Sequence, residues 1–165
     1  MSDIVERLKE NITYDPLTGV LTWATNQSNG KFKAGSEVGC ICHGYRRFGF
    51  GGRKIPSHVA AWAIYHAEWP SGIVDHRNRD PLDNRIDNLR MATKAQNSYN
   101  QKISKNNKTG FKGVQLRSNG KYHAEISAGG KRIMLGSFQD KVSAAKAYNK
   151  AAISLHGEFA HVNNI

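Results

Sequence analysis

The stretch from Ile73 to Asn97 contains side chains whose types and spacing suit metal-assisted hydrolysis: an adjacent Asp75-His76 pair and a later asparagine, Asn88. The Asp75 carboxylate and the Asn97 amide oxygen are hard ligands for a divalent cation such as Mg2+, and they leave positions for water and phosphate. An imidazole with an ordinary pKa near ~6.5, as at His76, suits a general base that takes a proton from attacking water. The stretch therefore predicts hydrolysis of a phosphodiester bond with one metal ion.

The pattern around these side chains predicts how they are brought together. Ile73 to His76 is a short apolar strand that enters the charged loop RNRDPLDNR, and a second strand is expected from Leu89 to Met91. Thr93 and Gln96 have the spacing of a capping box, so a helix is expected to begin at Thr93 and to carry Asn97 on its first turn. A hairpin laid on this helix would bring the Asp-His pair and Asn97 to one point.

At these residues the chain resembles the HNH (beta-beta-alpha-metal) endonucleases, in particular the phage-type homing enzymes with DH, then N, then N. The resemblance implies that His76 is the general base and that Asp75 and Asn97 bind one metal ion, expected to be Mg2+ with Mn2+ as an alternative. Asn88 is expected to accept a hydrogen bond from the imidazole and to fix its tautomer. The segments YDPLTGVLTW and SHVAAWAIYHAEWP resemble the lead-in of such proteins.

Other polar residues of the N-terminal part permit more than one interpretation. His58 and His66 fall in a predicted helix with apolar neighbours, which favours packing histidines, and a functional role for His58 stays open. The strands between Gly19 and Ile55 either support the hairpin or lie along a duplex. Four basic side chains there form a solvated face or contact the DNA backbone. They are Arg46, Arg47, Arg53 and Lys54.

The charge of the chain favours a nucleic-acid substrate. Lysine and arginine number 24 against 13 acidic residues, which gives a formal net charge of +11. Residues 1–100 hold 13 basic and 10 acidic side chains, net +3, whereas residues 101–165 hold 11 and 3, net +8. Such a surface gains affinity by releasing counterions from the phosphate backbone, so we expect binding that weakens with salt.

The C-terminal part has the pattern of three antiparallel strands, FKGVQLR, KYHAEISAGG and KRIMLGSF, separated by glycine-containing turns. Alternation predicts one apolar face. Its expected members are Val114, Leu116, Tyr122, Ala124, Ile126, Ile133 and Leu135. A helix from Asp140 to His156 is expected to cover this face, with Gly157 as its C-cap. Its expected inward residues are Val142, Ala145, Tyr148, Ala152 and Leu155.

This unit resembles the APETALA2-type (ethylene-response-factor) DNA-binding domain, whose elements stand here as KGVQLR, GKYHAEI, RIMLGSF, AAKAYNKAA and GEFAHVN. The resemblance implies that the strands lie in the major groove, where arginine pairs with guanine and glutamine with adenine. The implied DNA contacts are Lys112, Gln115, Arg117, Glu125 and Arg132. Asn119, Met134 and Ser127 replace tryptophans and an arginine of the family, so the family's target sequence does not carry over. Binding of another protein through the exposed strands is the alternative.

The expected fold class is α+β, with an N-terminal beta-beta-alpha-metal nuclease module and a C-terminal three-stranded antiparallel sheet packed on one helix. The expected domains are a nuclease domain over residues 1–101, a basic linker over 102–110 and a DNA-binding domain over 111–165. Two modules of this size have modest cores. The C-terminal domain is expected to act as a separable anchor, so that deletion of residues 106–165 weakens binding but spares the chemistry.

Composition also bears on partners and compartment. Double-stranded DNA is the expected partner, without a small-molecule substrate, and no apolar run approaches the length of a membrane span. Cys40 and Cys42 provide neither four zinc ligands nor a secreted disulfide framework, which favours a reducing interior. Without a signal-peptide pattern, the expected location is the cytoplasm, which is the host cytoplasm if a phage encodes the chain.

The predicted function is a metal-dependent DNA endonuclease that leaves 5' phosphate and 3' hydroxyl ends. One site per chain favours nicking by a monomer or weak dimer. A non-cleaving DNA-binding or regulatory protein that retains the fold as a scaffold is the alternative. An RNA nuclease is also kept open, because phosphodiester chemistry does not identify the sugar.

Overall fold

Short antiparallel strands alternate with α-helices within residues 2–27 and 31–165, which the computed structural model describes. This mixture confirms the predicted α+β class. The chain divides into two compact units at Ala92 and Thr93, before the predicted linker of residues 102–110. Met1 and residues 28–30 of the predicted N-terminal domain lie outside the described residues. No helix within those ranges is both long and apolar enough to span a bilayer.

The N-terminal unit contains two helices and three antiparallel sheets among its described residues. Its helices are α1 (Ser2–Asn11) and α2 (Ser57–His66), and its strands are β1 (Ile12–Tyr14), β2 (Leu21–Trp23), β3 (Cys40–Cys42), β4 (Tyr45–Phe50), β5 (Arg53–Pro56), β6 (Ile73–His76) and β7 (Leu89–Ala92). Strand β1 pairs with β2, β4 lies between β3 and β5, and β6 pairs with β7.

One apolar cluster joins both helices to all three sheets of this unit. Leu8 of α1, Ala60 and Ala61 of α2, and Val74 and Leu89 of the β6–β7 hairpin are buried members of it. Small alanine side chains let α2 approach the strands closely, which is consistent with a helix that is apolar around most of its circumference. The predicted strand pair is therefore confirmed, and it is anchored to the core by one apolar residue on each strand.

The β1–β2 hairpin holds the loop that follows β6. The Tyr14 hydroxyl donates a 2.7 Å hydrogen bond to the backbone carbonyl of Asn84. Gly19, with a φ of 76°, lies so close to this loop that a Cβ added there would be 2.5 Å from the amide nitrogen of Arg85. The segment YDPLTGVLTW thus shapes the loop, which explains its aromatic residue and its glycine.

The C-terminal unit contains helices α3 (Lys94–Asn100) and α4 (Lys141–His156) and strands β8 (Val114–Leu116), β9 (Tyr122–Ala128) and β10 (Lys131–Phe138). The strands form an antiparallel sheet with β9 in the centre, as predicted. Strand β10 has a register shift between Met134 and Gly136. The Asp140 carboxylate accepts a hydrogen bond from the Ser143 amide at 2.8 Å and caps α4, and Gly157 follows its last turn.

The predicted contacts between this sheet and α4 need correction. Val142 and Leu155 are exposed, whereas the buried residues of α4 include Ala144 and His156. The buried stripe runs at intervals of four residues from Ala144 through Tyr148 and Ala152 to His156, so it lies to one side of the predicted face. The predicted sheet residues Leu116 and Ile133 are also exposed, because both lie on edge strands.

The predicted linker is a hydrogen-bonded segment near its C-terminal end. The Asn107 Oδ1 accepts hydrogen bonds from the amides of Thr109 and Gly110 at 2.9 and 2.8 Å. The Thr109 hydroxyl donates to the carbonyl of Val114 at 3.0 Å, which ties the segment to β8. Asparagine and threonine side chains commonly order turns in this way.

We predict that Gly19→Ala destabilises the chain more than Gly44→Ala. Both glycines have positive φ, 76° and 81°, so both variants share a backbone penalty, which is about 1–2 kcal/mol. Only at Gly19 does the new Cβ meet backbone atoms, since a Cβ at Gly44 has nothing within 4 Å. Urea unfolding of the two full-length variants measures the difference, and equal losses of unfolding free energy would show that the close approach is unimportant.

Candidate active site

Asp75 lies on β6 directly opposite Arg90 of β7. Both residues are buried, with 7% and 5% of their surface exposed. The Arg90 Nε donates to Asp75 Oδ2 at 2.9 Å, and Nη2 lies 2.9 Å from the same oxygen. A buried carboxylate needs such a partner, because an unpaired charge in the interior costs several kcal/mol. Arg90 therefore fixes the orientation of the predicted metal ligand.

His76, the last residue of β6, is also buried. Its Nε2 lies 3.1 Å from the side-chain Oδ1 of Asn84, in the loop after β6. Because Oδ1 only accepts, this contact places the imidazole proton on Nε2 and the lone pair on Nδ1. Burial lowers the pKa of His76 below its ordinary value, although the Asn84 hydrogen bond and the Asp75 charge act in the opposite direction.

The prediction that Asn88 accepts the imidazole hydrogen bond is wrong. The Asn88 Oδ1 accepts from the backbone amide of Asn78 at 2.9 Å, and its Nδ2 donates to the carbonyl of Asp83 at 2.7 Å. Asn88 thus closes the loop between the two strands, and Asn84 in that loop contacts the imidazole. Asn88 therefore acts on His76 only indirectly, because it fixes the conformation of the loop that carries Asn84.

His58 of α2 packs directly against the imidazole of His76. The ring centroids are 4.8 Å apart with an interplanar angle of 64°, and the Tyr45 ring lies 5.6 Å from His58 and 6.3 Å from His76. Burial, together with the nearby His76 and Arg47, lowers the pKa of His58 to about 3. His58 is therefore a neutral ring at neutral pH that restricts the orientation of His76, while His66 stacks on Trp62 at 4.1 Å.

The predicted second metal ligand, Asn97, lies on α3 in the C-terminal unit. The predicted capping box is confirmed: the Thr93 hydroxyl accepts from the Gln96 amide at 3.2 Å, and Gln96 Oε1 accepts from the Thr93 amide at 2.8 Å. Asn97 is partly buried, and its amide nitrogen bonds to the Thr93 carbonyl as expected within a first turn. The described residues contain no group of three or more His, Cys, Asp or Glu side chains arranged for a metal.

Three of the predicted DNA contacts form a polar network on the exposed side of the β8–β10 sheet. Gln115 Nε2 donates to Glu125 Oε1 at 2.7 Å, and Arg132 Nη1 lies 3.6 Å from the same oxygen. Arg117 is exposed near the end of β8. Glu125 thus aligns an amide and a guanidinium side by side, which are groups suited to base edges and phosphates.

The structure gives the fifth predicted DNA contact, Lys112, a different role. Its Nζ donates to the carbonyls of Tyr99 and Gln101, each at 2.7 Å. Its backbone amide donates to the buried Asn163 Oδ1 at 2.6 Å. These bonds hold the Lys112 side chain at the C-terminal end of α3, so Lys112 is not among the DNA contacts that we propose.

Of the two side chains that contact Asp75 and His76, the sequence contains a signal for Arg90 but none for Asn84. Arg90 faces Asp75 because of the hairpin register, and opposite charges at paired positions would have indicated the ion pair. Asn84 lies in a loop with several Asx residues, and nothing in its spacing distinguishes it from Asn78 or Asn88. The contact between His58 and His76 depends on tertiary packing of α2, which periodicity does not predict.

Comparison with known proteins supports two separate likenesses. Residues 56–99 match the family model of the HNH endonucleases, a segment that includes Asp75, His76, Asn88 and Asn97. The chain is 30% identical over 105 residues to Protein 3.8 of Escherichia phage T7, covering 62% of this chain and 86% of the phage protein. It is 38% identical over 103 residues to an uncharacterized HNH endonuclease of Acanthamoeba polyphaga mimivirus, and it spans 53% of that relative's length.

The second likeness concerns the C-terminal part. The chain is 36% identical over 70 residues to the ethylene-responsive transcription factor ERN3 of Medicago truncatula, which covers 41% of this chain and 29% of the plant protein. This similarity agrees with the sheet-plus-helix arrangement of β8–β10 and α4, and it confirms the predicted resemblance.

We predict that His58 makes the folded state less stable at acidic pH. Between the ordinary pKa of 6.5 and the folded value of about 3, the unfolded chain binds a proton at His58 that the folded chain excludes. The free energy of unfolding should therefore fall as the pH decreases through this window, by up to about 1.4 kcal/mol per pH unit for one proton. His58→Gln should flatten this slope in urea titrations from pH 7.5 to 4, with His66→Gln as the control. An unchanged slope in His58→Gln would contradict the assignment.

Proposed function

Because this chain belongs to the HNH endonuclease family, we propose that it is a metal-dependent DNA endonuclease whose general base is His76. The observation that carries the proposal is the buried Asp75-His76 pair at the end of β6, held by Arg90, Asn84 and His58. A carboxylate and an imidazole on consecutive residues of one hairpin are thereby each held in a fixed orientation. Such preorganisation is what hydrolysis of a phosphodiester requires of a protein.

The contact between His76 and Asn84 supports a separate proposed role for each ring nitrogen. With Nε2–H directed to Asn84 Oδ1, the Nδ1 lone pair accepts a proton from a water molecule. The water oxygen forms a bond to phosphorus, and the bond from phosphorus to the 3' oxygen breaks. The leaving 3' oxygen takes a proton from solvent water, so the products are a 5' phosphate and a 3' hydroxyl. Asn88 supports this step indirectly, because it closes the loop that carries Asn84.

The proposed ligands fit a hard divalent ion better than zinc. Asp75 provides a carboxylate and Asn97 an amide oxygen, and the described residues contain no larger cluster of His, Cys, Asp or Glu. Mg2+ commonly binds with one or two protein carboxylates and completes its shell with water and phosphate oxygens. Such an ion, when bound, would stabilise negative charge on the leaving 3' oxygen. The assignment of Asn97 rests on the motif, and Mn2+ is an expected substitute.

We assign DNA docking to the exposed face of the β8–β10 sheet. Gln115, Arg117, Glu125 and Arg132 lie on its strands or at their ends, and the residues from 101 onward have a net charge of +8. Phosphate contacts from such a surface give affinity that depends on salt, and side chains aligned as in this network give contacts with base edges. One catalytic histidine per chain favours nicking of one strand, and a role in homing is proposed from the resemblance of the motif to phage-type homing enzymes.

We predict that His76→Ala abolishes cleavage without weakening DNA binding. Loss of a general base reduces the rate by about 10²–10⁴-fold. The measurement is conversion of supercoiled plasmid to open-circle and linear forms with Mg2+, with Mn2+ and with chelator. Wild-type protein should give open circles only with metal, whereas His76→Ala from the same preparation should shift DNA in a gel but leave the plasmid intact.

Two matched variants separate the roles of the loop asparagines. Asn84→Ala removes the imidazole partner directly, and Asn88→Ala opens the loop. Both should slow cleavage and lower the free energy of unfolding, because Asn84→Ala leaves the buried His76 Nε2–H without its acceptor and Asn88→Ala leaves two partly buried backbone groups without their partners. Only Asn88→Ala should accelerate hydrogen exchange of the Asn78 amide. Cleavage by His76→Ala at the wild-type rate would exclude the proposed mechanism, and DNA binding without any metal-dependent cleavage by wild type would favour the non-cleaving alternative.

We predict that the double variant Arg117→Ala/Arg132→Ala lowers DNA affinity by at least about tenfold, since good arginine contacts contribute ~1–3 kcal/mol each. Its control is Lys146→Ala/Lys150→Ala, which removes the same charge from exposed positions of α4. Fluorescence anisotropy in chelator at several salt concentrations measures both Kd and its salt slope. Equal weakening by the two double variants would show that net charge alone, and no particular face, accounts for binding.

A further inference from the structure

The helix that carries Asn97 is held by the C-terminal unit. Strand β7 ends at Ala92 and Thr93 caps α3, so no linker separates the hairpin from this helix. Nevertheless α3 lies within the compact unit that begins at Thr93. The family segment, residues 56–99, therefore extends from the N-terminal unit into the unit that resembles a plant DNA-binding domain.

A helix as short as α3 depends on contacts outside itself. It has 7 residues, whereas isolated helices shorter than ~12–15 residues are marginal in water. The capping box satisfies its N-terminal end. Its C-terminal carbonyls lack donors within the helix and must find them elsewhere.

Lys112 and His161 provide donors to the carbonyls of Tyr99 and of Gln101, the residue that follows the helix, while the Gln101 amide bonds to the Ser98 carbonyl. The Lys112 ammonium donates to the carbonyls of Tyr99 and Gln101, and His161 Nδ1 shares a 2.7 Å hydrogen bond with the Gln101 carbonyl. A cation at this end of a helix is also favoured by the helix dipole. Asn163 bonds to both the amide and the carbonyl of Lys112, at 2.6 and 3.1 Å, and so fixes the backbone from which the ammonium extends.

An aromatic stack provides the second attachment. The Tyr99 and His156 rings are parallel within 4°, with centroids 3.7 Å apart. His156 is buried at the end of α4, and its Nε2 lies 2.8 Å from the carbonyl of Ser127 on β9. Since a carbonyl only accepts, Nε2 carries the proton, and the ring is fixed to the central strand of the sheet. Tyr99 is thus held, through His156, against α4 and the central strand β9.

The two functions of α3 fall on different sides of the helix. Tyr99 and Asn97 are two residues apart, which corresponds to roughly 200° around an α-helix. The face of α3 that carries Tyr99 packs on His156 of α4. Asn97 lies on a different face of the helix, where it serves as the proposed metal ligand.

We propose that Tyr99, His156 and Lys112 are positioning residues that fix the orientation of α3 and therefore of Asn97, the proposed metal ligand. This inference rests on the proposed function. It reverses the expectation that the C-terminal domain is a separable anchor whose loss spares the chemistry.

The test compares Tyr99→Ala with Tyr99→Phe, which retains the stacked ring, in the full-length chain. Tyr99→Ala should cut DNA about ten- to a hundredfold more slowly, as misplacement of a binding group predicts, while the DNA Kd in chelator stays at the wild-type value. The Mg2+ concentration for half-maximal rate should rise. Hydrogen exchange of the Asn97 and Gln101 amides should accelerate, and Tyr99→Phe should restore all of these quantities.

Two further variants show whether the effects of Tyr99→Ala come from the loss of one attachment of α3 or from general unfolding of the unit. Lys112→Met removes the ammonium that donates to the carbonyls at the C-terminal end of α3, and it should reproduce the effects of Tyr99→Ala. Val114→Ala weakens the buried core of the same unit without contacting α3, and should leave the exchange of α3 relative to the other helices unchanged.

The outcomes distinguish this inference from the proposed function. A wild-type rate in Tyr99→Ala, or unaltered exchange in α3, would overturn the positioning role while leaving the nuclease assignment intact. A parallel loss of DNA affinity and rate would also overturn it, because Tyr99 would then act in docking. If wild-type protein cuts no DNA, the proposed function fails, and the exchange measurement alone decides whether the C-terminal unit holds α3.

Discussion

The buried ion pair between Asp75 and Arg90 constrains the whole N-terminal unit. A two-stranded hairpin is marginally stable by itself, yet β6 and β7 carry both charges into the interior, where an unpaired charge would be strongly destabilising. The cross-strand register places Asp75 opposite Arg90, so that each charge has a partner of opposite sign. Val74 and Leu89 join the hairpin to the apolar cluster. Helix α2 then brings His58 against His76, and the β1–β2 hairpin supports the loop that contains Asn84. The side chains of Asp75 and His76, to which we assign roles in catalysis, are consequently held by neighbouring residues of the same unit.

A second constraint is the shortness of α3. The last residue of the motif lies on a helix that has too few residues to be stable alone, and its partners come from the unit that follows. Tyr99 stacks on His156, and Lys112 closes the C-terminal end. The nuclease-family segment, residues 56–99, therefore ends on a helix that is held by residues of the C-terminal unit.

Much of the architecture follows from local sequence patterns. The alternation in KYHAEISAGG, the capping box of Thr93 and Gln96, and the turn glycines predict the strands and α3 because they depend on near neighbours. Local sequence patterns do not predict the residues that orient the side chains of the site. Asn84 differs from Asn88 only in its tertiary position. His156 is buried because the face of α4 that packs on the sheet includes Ala144 and excludes Val142. Lys112 was predicted to contact DNA from family position, whereas its ammonium satisfies carbonyls at a helix end that the sequence alone does not bring near.

We propose Asp75 and Asn97 as ligands of the metal ion, and paramagnetic broadening tests that proposal without turnover. Isotope-labelled His76→Ala protein bound to a DNA duplex would be titrated with Mn2+ and followed by amide NMR. The first equivalent is expected to broaden the amide signals of Asp75 and of α3 near Asn97 together, and Asn97→Ala is expected to weaken this effect. Broadening confined to other regions, or broadening that is the same in the Asn97→Ala protein, would contradict it.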